Sequence, residues 1–404
     1  MQKDLESEIL DLVQNIKKQG KHHLAECIQK NWDKKAIDYS KDLNDWHTDI
    51  PIEKELKEAF EKELVRTGKS VLKDATLKSL VQRRVLQTAP HLGVTYSPRM
   101  SCVEWLGSLA VPENEYYISA VFSGVPFSNS SRPGRINRKE NSVNLFHSNL
   151  QDAIVYRSTI PEKLLDMIKT LPENLKNVLE KAELGASYTK WAMNSCENIE
   201  RKIFKKENIV LLDINEITAE YLKNILNKED HPIHKILFDK NTRDQFTSIF
   251  PEEIMFYVKT TKGKYEVMEN AYLKEDSLVS KNFSLSLDSE KKEDLIQAIT
   301  DGKLCPALIL VFITVAFING FKCFGSFIQV EYLSEYKEKL AQLEIFKKYD
   351  ILNIPTANLT TGIIPEMNEY PADLISFEKD FSPNSEILFG EVIMGIKDIL
   401  IKND

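Results

Sequence analysis

The sequence predicts an α/β protein built on a parallel sheet, with a helical N-terminal region and a small β-hairpin insertion. Two observations predict this class. Short apolar runs alternate with helical patterns after residue 80, and polar, turn-rich stretches follow two consecutive apolar runs. A strand, a polar turn and a helix in this order are typical of proteins that hold a ligand at the carboxyl end of a parallel strand.

Residues 1–80 are predicted to be helical, because apolar residues such as Leu5, Ile9 and Leu12 recur at helical spacing. We expect a second region, 81–350, to form the α/β core. It opens with a strand in VLQTAPHLGVTYSPRM and a helix in SCVEWLGSLA, and continues with the buried strand YYISAVFSG. The stretch NIVLLDINEITAEYLKNIL adds another strand and helix. The region 351–404 is expected to pack on the core.

Later stretches fill in the core. IMFYVKTTKGKYEVM predicts a hairpin that turns at Lys262 and Gly263. The apolar run Ala307 to Ile318 predicts a buried helix, since its length of about twelve residues falls short of the roughly twenty that span a membrane. FKCFGSFIQVEYL predicts a strand interrupted at Gly325, followed by a polar helix. At the C-terminal end, DILNIP predicts a strand and SEILFGEVIMGIKDILIK an amphipathic helix.

Composition excludes some classes of function. Sixty-one acidic residues against fifty-three basic residues give a net charge of −8, which argues against broad binding to nucleic acid. The N-terminus is charged and has no signal-peptide pattern, so we expect a cytoplasmic protein that does not bind a membrane. The five cysteines have no metal-ligand spacing, and we expect reduced thiols and no metal site.

The stretch FSGVPFSNSSRPGRINRK, Phe122 to Lys139, gathers cationic and neutral hydrogen-bond donors behind the second strand. Guanidinium groups at every third residue, with hydroxyl and amide groups beside them, are suited to hold a carboxylate or phosphate. Gly124 would let the backbone approach such an anion closely. The alternative is an ordinary surface loop with solvated arginines. The candidate substrate-binding residues here are Gly124, Ser128, Asn129, Arg132, Arg135 and Arg138.

Three further polar residues are candidates. His91 lies in the first strand-end loop, where an imidazole could bind a phosphate or act as a general base, although a lone histidine is often structural. Alternation places Gln329 and Glu331 on one face of the predicted strand, where a carboxamide and a carboxylate could recognise an amine or a ribose. The alternative is that this strand face is simply exposed to solvent and binds no ligand.

The order of several motifs resembles the bacillithiol synthase family, a cysteine-adding family with a Rossmann-like core. The matched stretches span residues 81–350: QTAPHLGVTYSPRM, YYISAVFSG, FYVKTTKGKYEV, LCPALIL and FGSFIQVEYLSEYKEKL. Ala89, Pro90 and His91 replace the family's glycine-glutamine-glutamine, and VPFSNSSRPGR replaces its acidic and histidine cluster. The resemblance implies a Rossmann-like fold and a site at matching positions. Those positions, to which we add Arg99, are Thr88, Gly93, Pro98, Gly124, Gly325, Glu331 and Tyr332.

From the residues and the resemblance together we expect a biosynthetic enzyme that joins an amine or amino acid to a small-molecule acceptor by forming a C–N bond. His91 would act as general base or phosphate contact and Glu331 would bind the amine. ATP or ADP is a possible cofactor, and a homodimer is a possible assembly. Two alternatives stay open, namely a catalytically inactive scaffold whose charged N-terminal helices bind partners, and a nucleotidyl transferase.

Overall fold

The structure, a computed structural model, describes residues 2–263, 265–364, 366–367 and 369–402. It is a mixed α/β fold with a parallel sheet, as the sequence predicts. The helices are α1 (Gln2–Lys18), α2 (His22–Asn31), α3 (Ala36–Asn44), α4 (Lys54–Arg66), α5 (Lys73–Arg83), α6 (Pro98–Ser108), α7 (Leu164–Lys169), α8 (Glu173–Glu180), α9 (Tyr188–Phe204), α10 (Ile214–Ile225), α11 (Pro232–Phe238), α12 (Lys240–Ile249), α13 (Lys292–Thr300), α14 (Leu308–Phe312), α15 (Phe327–Leu340), α16 (Pro371–Ser376), α17 (Phe389–Met394) and α18 (Lys397–Ile401). The strands are β1 (Val85–Gln87), β2 (Tyr117–Val121), β3 (Arg135–Ile136), β4 (Val143–Asn144), β5 (Ile209–Asp213), β6 (Ile254–Lys262), β7 (Tyr265–Lys274), β8 (Ser277–Val279), β9 (Ser284–Ser286), β10 (Leu304–Pro306) and β11 (Lys322–Phe324).

The parallel sheet has the strand order β11-β1-β2-β5. Along the chain, β1, β2 and β5 are added in one direction, whereas β11 lies on the other side of β1. Val85 pairs with Lys322 on that side, and Gln87 pairs with Ser119 on the other. The strand order therefore reverses between β1 and β11, which is where open α/β sheets bind ligands.

Hydrophobic cores cover both faces of this sheet. Alternate residues of a strand point to opposite faces, so Ile209 and Leu211 contribute to the core that contains α6 and α9. Val210 and Leu212 contribute to the core that contains α4 and α10. The apolar run 307–318 belongs to the second core as α14 and a following π-helical segment, Ile313–Ile318, which confirms the predicted buried helix. Among the described residues, no helix combines the length and apolar character needed to cross a bilayer.

A second, antiparallel sheet has the order β10-β6-β7-β8-β9. Its longest pair, β6 and β7, confirms the predicted hairpin, and Gly263 adopts a φ of 64° in the turn, which a glycine tolerates without strain. The hairpin is part of a larger sheet than the sequence predicted, because two short strands extend it on one edge and β10 pairs with β6 on the other.

The structure differs from the prediction after Gly325. The predicted strand ends at Phe324, because the Ser326 side chain accepts a hydrogen bond from the backbone N–H of Gln329 and begins α15. The predicted strand DILNIP is also wrong, since Ile351–Asn353 is a 3-10 turn. The predicted final helix is interrupted and forms α17 and α18.

Residues 358–360 run along the outer side of β11. The backbone N–H of Gly325 donates to the carbonyl of Asn358 at 2.8 Å, and the N–H of Thr360 donates to the carbonyl of Gly325 at 3.0 Å. The Asn358 side chain donates to the Cys323 carbonyl at 3.2 Å. The C-terminal segment therefore covers the edge of the parallel sheet beside β11.

Two buried carboxyl groups lie between the sheet and the helices α6 and α9. Ser119 Oγ donates to Glu104 Oε1 at 2.6 Å, and Ser101 Oγ donates to Glu200 Oε1 at 2.9 Å. Both glutamates are fully buried and have no ion-pair partner in the described part of the chain. Burial raises the pKa of Glu104 to about 7, and burial together with the nearby Glu104 raises the pKa of Glu200. Burial thus favours the protonated form of both carboxyl groups in the folded protein.

Candidate functional site

The crevice between β1 and β11 is filled by side chains of the protein itself. Thr88 follows β1 and donates its hydroxyl proton to the Phe324 carbonyl at 2.9 Å. Gln329 donates to Thr88 Oγ1 at 2.7 Å and to the Phe324 carbonyl at 3.1 Å. The structure thus brings these two predicted substrate-binding residues together, but their hydrogen bonds join β1 to α15. With exposures of 1% and 2%, Thr88 and Gln329 leave little surface for a ligand.

Glu331 and Tyr332 do not lie on a strand face, because both belong to α15. The prediction that Gln329 and Glu331 share one face is therefore wrong, since residues two apart on a helix point in different directions. Glu331 Oε1 accepts a hydrogen bond of 2.7 Å from the backbone N–H of Leu24 in the first turn of α2. Tyr332 packs its ring on Phe312. The Glu331 carboxylate therefore satisfies a backbone N–H in the first turn of α2, which argues against its predicted role in binding an amine.

The predicted glycines serve packing rather than anion approach. A Cβ atom at Gly124 would lie 2.8 Å from Asn215 Nδ2 and 3.1 Å from Cys305 Sγ. A Cβ at Gly325 would lie 2.4 Å from the Gln329 side chain. Gly93 has ordinary surroundings, since the nearest atom to its added Cβ is 3.7 Å away. The expectation that Gly124 admits an anion is therefore corrected, because protein atoms occupy that space.

His91 joins the two strand-end loops. The N–H of Leu92 donates to the Phe122 carbonyl at 2.7 Å, and His91 Nδ1 lies 3.0 Å from Asn129 Oδ1. Asn129 Oδ1 also accepts the N–H of Ser131 at 3.0 Å, so it is an acceptor and His91 Nδ1 carries the proton. Burial lowers the pKa of His91. A neutral imidazole with its lone pair on Nε2 results, which suits a general base better than a phosphate contact.

The predicted anion-binding loop lines a cavity of about 370 Å³, which we call the arginine cavity. Its walls are Phe127, Ser128, Arg132, Gly134, Arg135, Asn144, Phe146, His147, Ser148 and Gln151. Of the predicted residues, the cavity brings Ser128, Arg132 and Arg135 together, whereas Asn129 points to His91.

The two arginines of this cavity have unused donors. Arg135 is half-buried in the hairpin of β3 and β4, and its Nε is buried without a hydrogen-bond partner in the described structure. Arg132 is exposed, and its side chain forms no hydrogen bond or ion pair with a described residue. The Tyr188 hydroxyl connects α9 to this loop by donating a hydrogen bond to the Pro133 carbonyl. The arrangement presents two guanidinium groups to a small anion.

Arg138 does not belong to the cavity. Its Nε lies 2.9 Å from Asp373 Oδ1, and Asp373 Oδ2 accepts the backbone N–H of Lys139 at 2.7 Å. The side chains of Arg138 and Asp373 are only 12% and 7% exposed. The predicted substrate contact is therefore corrected, because this ion pair anchors the loop to α16.

Arg99 stands apart as well. It lies in the first turn of α6, where burial lowers its pKa, and its side chain forms no hydrogen bond or ion pair with a described residue. The structure does not place Arg99 among the walls of the arginine cavity.

Sequence reasoning missed a charged cluster at the carboxyl end of β5. Asp213 is buried there, and its N–H donates to Glu63 Oε1 at 3.0 Å. Glu63 pairs with Arg66 at 2.6 Å, and Arg157 pairs with Glu216 at 2.7 Å. Burial, with Glu63 nearby, raises the pKa of Asp213 to about 7. The signal for Asp213 was an acidic residue that ends an apolar run, whereas its partners come from distant segments.

Metal chemistry has no candidate ligand set in the described residues, since they contain no group of three or more histidine, cysteine, aspartate or glutamate side chains that could hold an ion. All five cysteines are free and buried, which agrees with the expected reduced thiols.

Comparisons with known proteins do not place the chain in a family. No protein-family model matches it, and a search of curated proteins found no match either.

Proposed function

We propose that this protein is a cytoplasmic biosynthetic enzyme with a Rossmann-like core, which holds the anionic group of a small-molecule substrate in the arginine cavity. The reaction would join an amine or amino acid to an acceptor by forming a C–N bond. The observation that carries the proposal is that the buried Nε of Arg135 and the neighbouring side chain of Arg132 have no partner among the described residues.

Anion binding follows from the chemistry of these arginines. A guanidinium group offers its donors in a planar fork that matches a carboxylate or phosphate, and a buried donor without a partner costs free energy. An anion in the cavity would supply that partner to Arg135, while the exposed Arg132 closes on it from the mouth. Ser128 and Gln151 add neutral polar groups at the wall.

The reaction type is supported by the resemblance to the bacillithiol synthase family alone. An amine must lose a proton when it forms a bond to carbon and displaces a leaving group, and the neutral Nε2 of His91 is a suitable acceptor. His91 contacts Asn129, whose chain neighbour Ser128 lines the cavity, although His91 itself is not among the described lining residues. Asp213, with a pKa of about 7, is a second candidate proton carrier.

The scaffold alternative is favoured by a specific observation. Thr88 and Glu331, two of the positions implied by the resemblance, use their polar groups within the fold, and so does the candidate Gln329. A protein that lost its catalytic role would retain such contacts for stability. Only the enzyme requires the arginine cavity to bind an anion, so ligand binding distinguishes the two functions.

Thermal unfolding with ATP, ADP, amino acids and sugar phosphates tests the proposal. A ligand of the arginine cavity should raise the melting temperature of the wild type by several degrees, on the order of 5 °C at a concentration far above its Kd. The shift should vanish in Arg135→Gln. Lys139→Gln is the control, because it removes an exposed cation of the same loop that does not line the cavity, and it should keep the ligand-induced shift.

Two results would contradict the proposal. An equal shift in Arg135→Gln would place the ligand elsewhere, and no shift with any compound would favour the scaffold. Once a ligand is known, formation of an amine adduct can be followed by mass spectrometry. His91→Asn should abolish the adduct and leave the melting shift intact.

A further inference from the structure

A second cavity, of 540 Å³, lies between α2, α3 and α15. We call it the lysine cavity, because Lys30, Lys34, Lys322 and Lys337 line it. Residues 355–358 form another wall. It shares no lining residue with the arginine cavity, and its volume is within the range of small-molecule sites.

Lys322 is the most enclosed of these lysines. It is the first residue of β11, is 6% exposed, and donates from Nζ to the main-chain carbonyl of Asp42 at 2.7 Å. An ammonium group has three protons to donate, and the described residues accept one of them. Burial lowers the pKa of Lys322 to about 8. A buried ammonium with free donors is stabilised by an anion beside it.

Some charges of the cavity are already balanced. Lys34 forms an ion pair with Asp42, and His23 lies 3.5 Å from Glu338. The carboxylate of Asp42 is therefore engaged by Lys34, while its main-chain carbonyl contacts Lys322. Only the Lys34–Asp42 pair cancels when His23 is neutral, so the other lysines and carboxylates of the lining set the net charge of the cavity.

Positive charge dominates among the groups that remain. Lys30 forms no hydrogen bond or ion pair with a described residue, and Lys337 donates only to the Ile354 carbonyl, at 3.2 Å. Outside the Lys34–Asp42 pair, the described lining holds the carboxylates of Glu26 and Glu338, and a neutral His23 balances neither. Three ammonium groups therefore face two carboxylates, an excess of positive charge that an anion would balance.

We propose that the lysine cavity binds a small molecule through a phosphate group, held by Lys322 at the inner wall and by Lys30 and Lys337 beside it. An ammonium group acts as a compact point charge, and a phosphate monoester carries about −1.5 to −2 charge at pH 7 against −1 for a carboxylate, so three ammonium groups favour the phosphate. Leu43, Pro355 and Ala357 supply apolar surface for the rest of the molecule. This site is additional to the arginine cavity and does not depend on the proposed reaction.

Calorimetric titration with phenyl phosphate and with benzoate tests the proposal, because the two probes share a ring and differ in the anionic group. The wild type should bind phenyl phosphate more tightly than benzoate. Lys322→Met, which keeps the length of the side chain and removes its charge, should weaken phenyl phosphate binding at least about tenfold. Lys30→Gln, at an exposed position that does not support the fold, should weaken it about threefold.

Two variants serve as controls. Lys41→Met makes the same substitution at an exposed residue of α3 that pairs with Asp38, and it should leave binding unchanged. Arg135→Gln alters the arginine cavity and should also leave it unchanged. The proposal is overturned by absence of binding to the wild type, by equal affinity for benzoate, or by undiminished binding in both lysine variants. Loss of binding in Arg135→Gln alone would assign the phosphate to the arginine cavity and overturn it as well.

Discussion

Replacing Glu104 with glutamine should remove part of the pH dependence of the free energy of unfolding. Glu104 has a pKa of about 7 in the folded protein against an ordinary value of 4.5, so the folded state binds more protons than the unfolded state between these values. Stability is then lost as the pH rises from 4.5 through 7 and changes little above that. From about pH 5 to about pH 8 this one group lowers the free energy of unfolding by about 2.5 kcal/mol.

Glutamine keeps the size of Glu104 and can accept the hydrogen bond from Ser119, but it cannot ionise. When the pH is raised from about 5 to about 8, we expect the free energy of unfolding of Glu104→Gln to rise by about 2.5 kcal/mol relative to that of the wild type. Urea unfolding, followed by tryptophan fluorescence at several pH values, measures this difference in the free energy of unfolding. A change in packing caused by the substitution is the same at every pH, so it does not affect how the difference varies with pH. Glu6→Gln, at an exposed position on α1, is the control. A difference between Glu104→Gln and wild type that stays constant with pH would refute the reasoning.

Three further predictions test the contacts of the candidate residues. Gly124→Ala should lower the free energy of unfolding by about 1–3 kcal/mol, because the new methyl group meets Asn215 and Cys305; a urea midpoint equal to the wild type would show that this space is open. Glu331→Ala should cost about 1 kcal/mol through the lost hydrogen bond to Leu24 and leave ligand-induced melting shifts unchanged. Loss of the ligand-induced melting shift in Glu331→Ala would instead indicate that Glu331 belongs to the ligand-binding site. The imidazole of His91, followed by NMR, should titrate below its ordinary pKa because burial disfavours the cation; a pKa above the ordinary value would contradict the burial of a neutral ring.

The parallel sheet was predictable because its strands are short, buried and mostly apolar runs that end in polar turns. The buried strands β2 and β5 carry this pattern, and the side chain of Asp213 begins α10 directly after β5. The stretch FIQVEYL misled because aromatic and β-branched residues favour a strand as well as a buried helix. Ser326 was the overlooked sign, since a serine ahead of a helix commonly caps it.

The candidate site was predictable only in part, because its limits depend on contacts between distant segments. The sequence of the loop indicates an anion site, and Arg132 and Arg135 do line a cavity. Arg138 has the same local pattern, but Asp373 pairs with it from another region of the chain. The lysine cavity has no local signature, since its walls come from two N-terminal helices, β11, α15 and residues 355–358.

The position of β11 has a consequence for how the chain is made. β1 pairs with β2 soon after both have left the ribosome, but its other neighbour begins at Lys322, far later in the sequence. One edge of β1 therefore stays unpaired while the residues between β2 and β11 are synthesised. Such distant pairing gives a high contact order, which slows folding and exposes an unpaired strand edge to other chains. We expect the yield of folded protein to depend on translation rate and on chaperones that shield this edge.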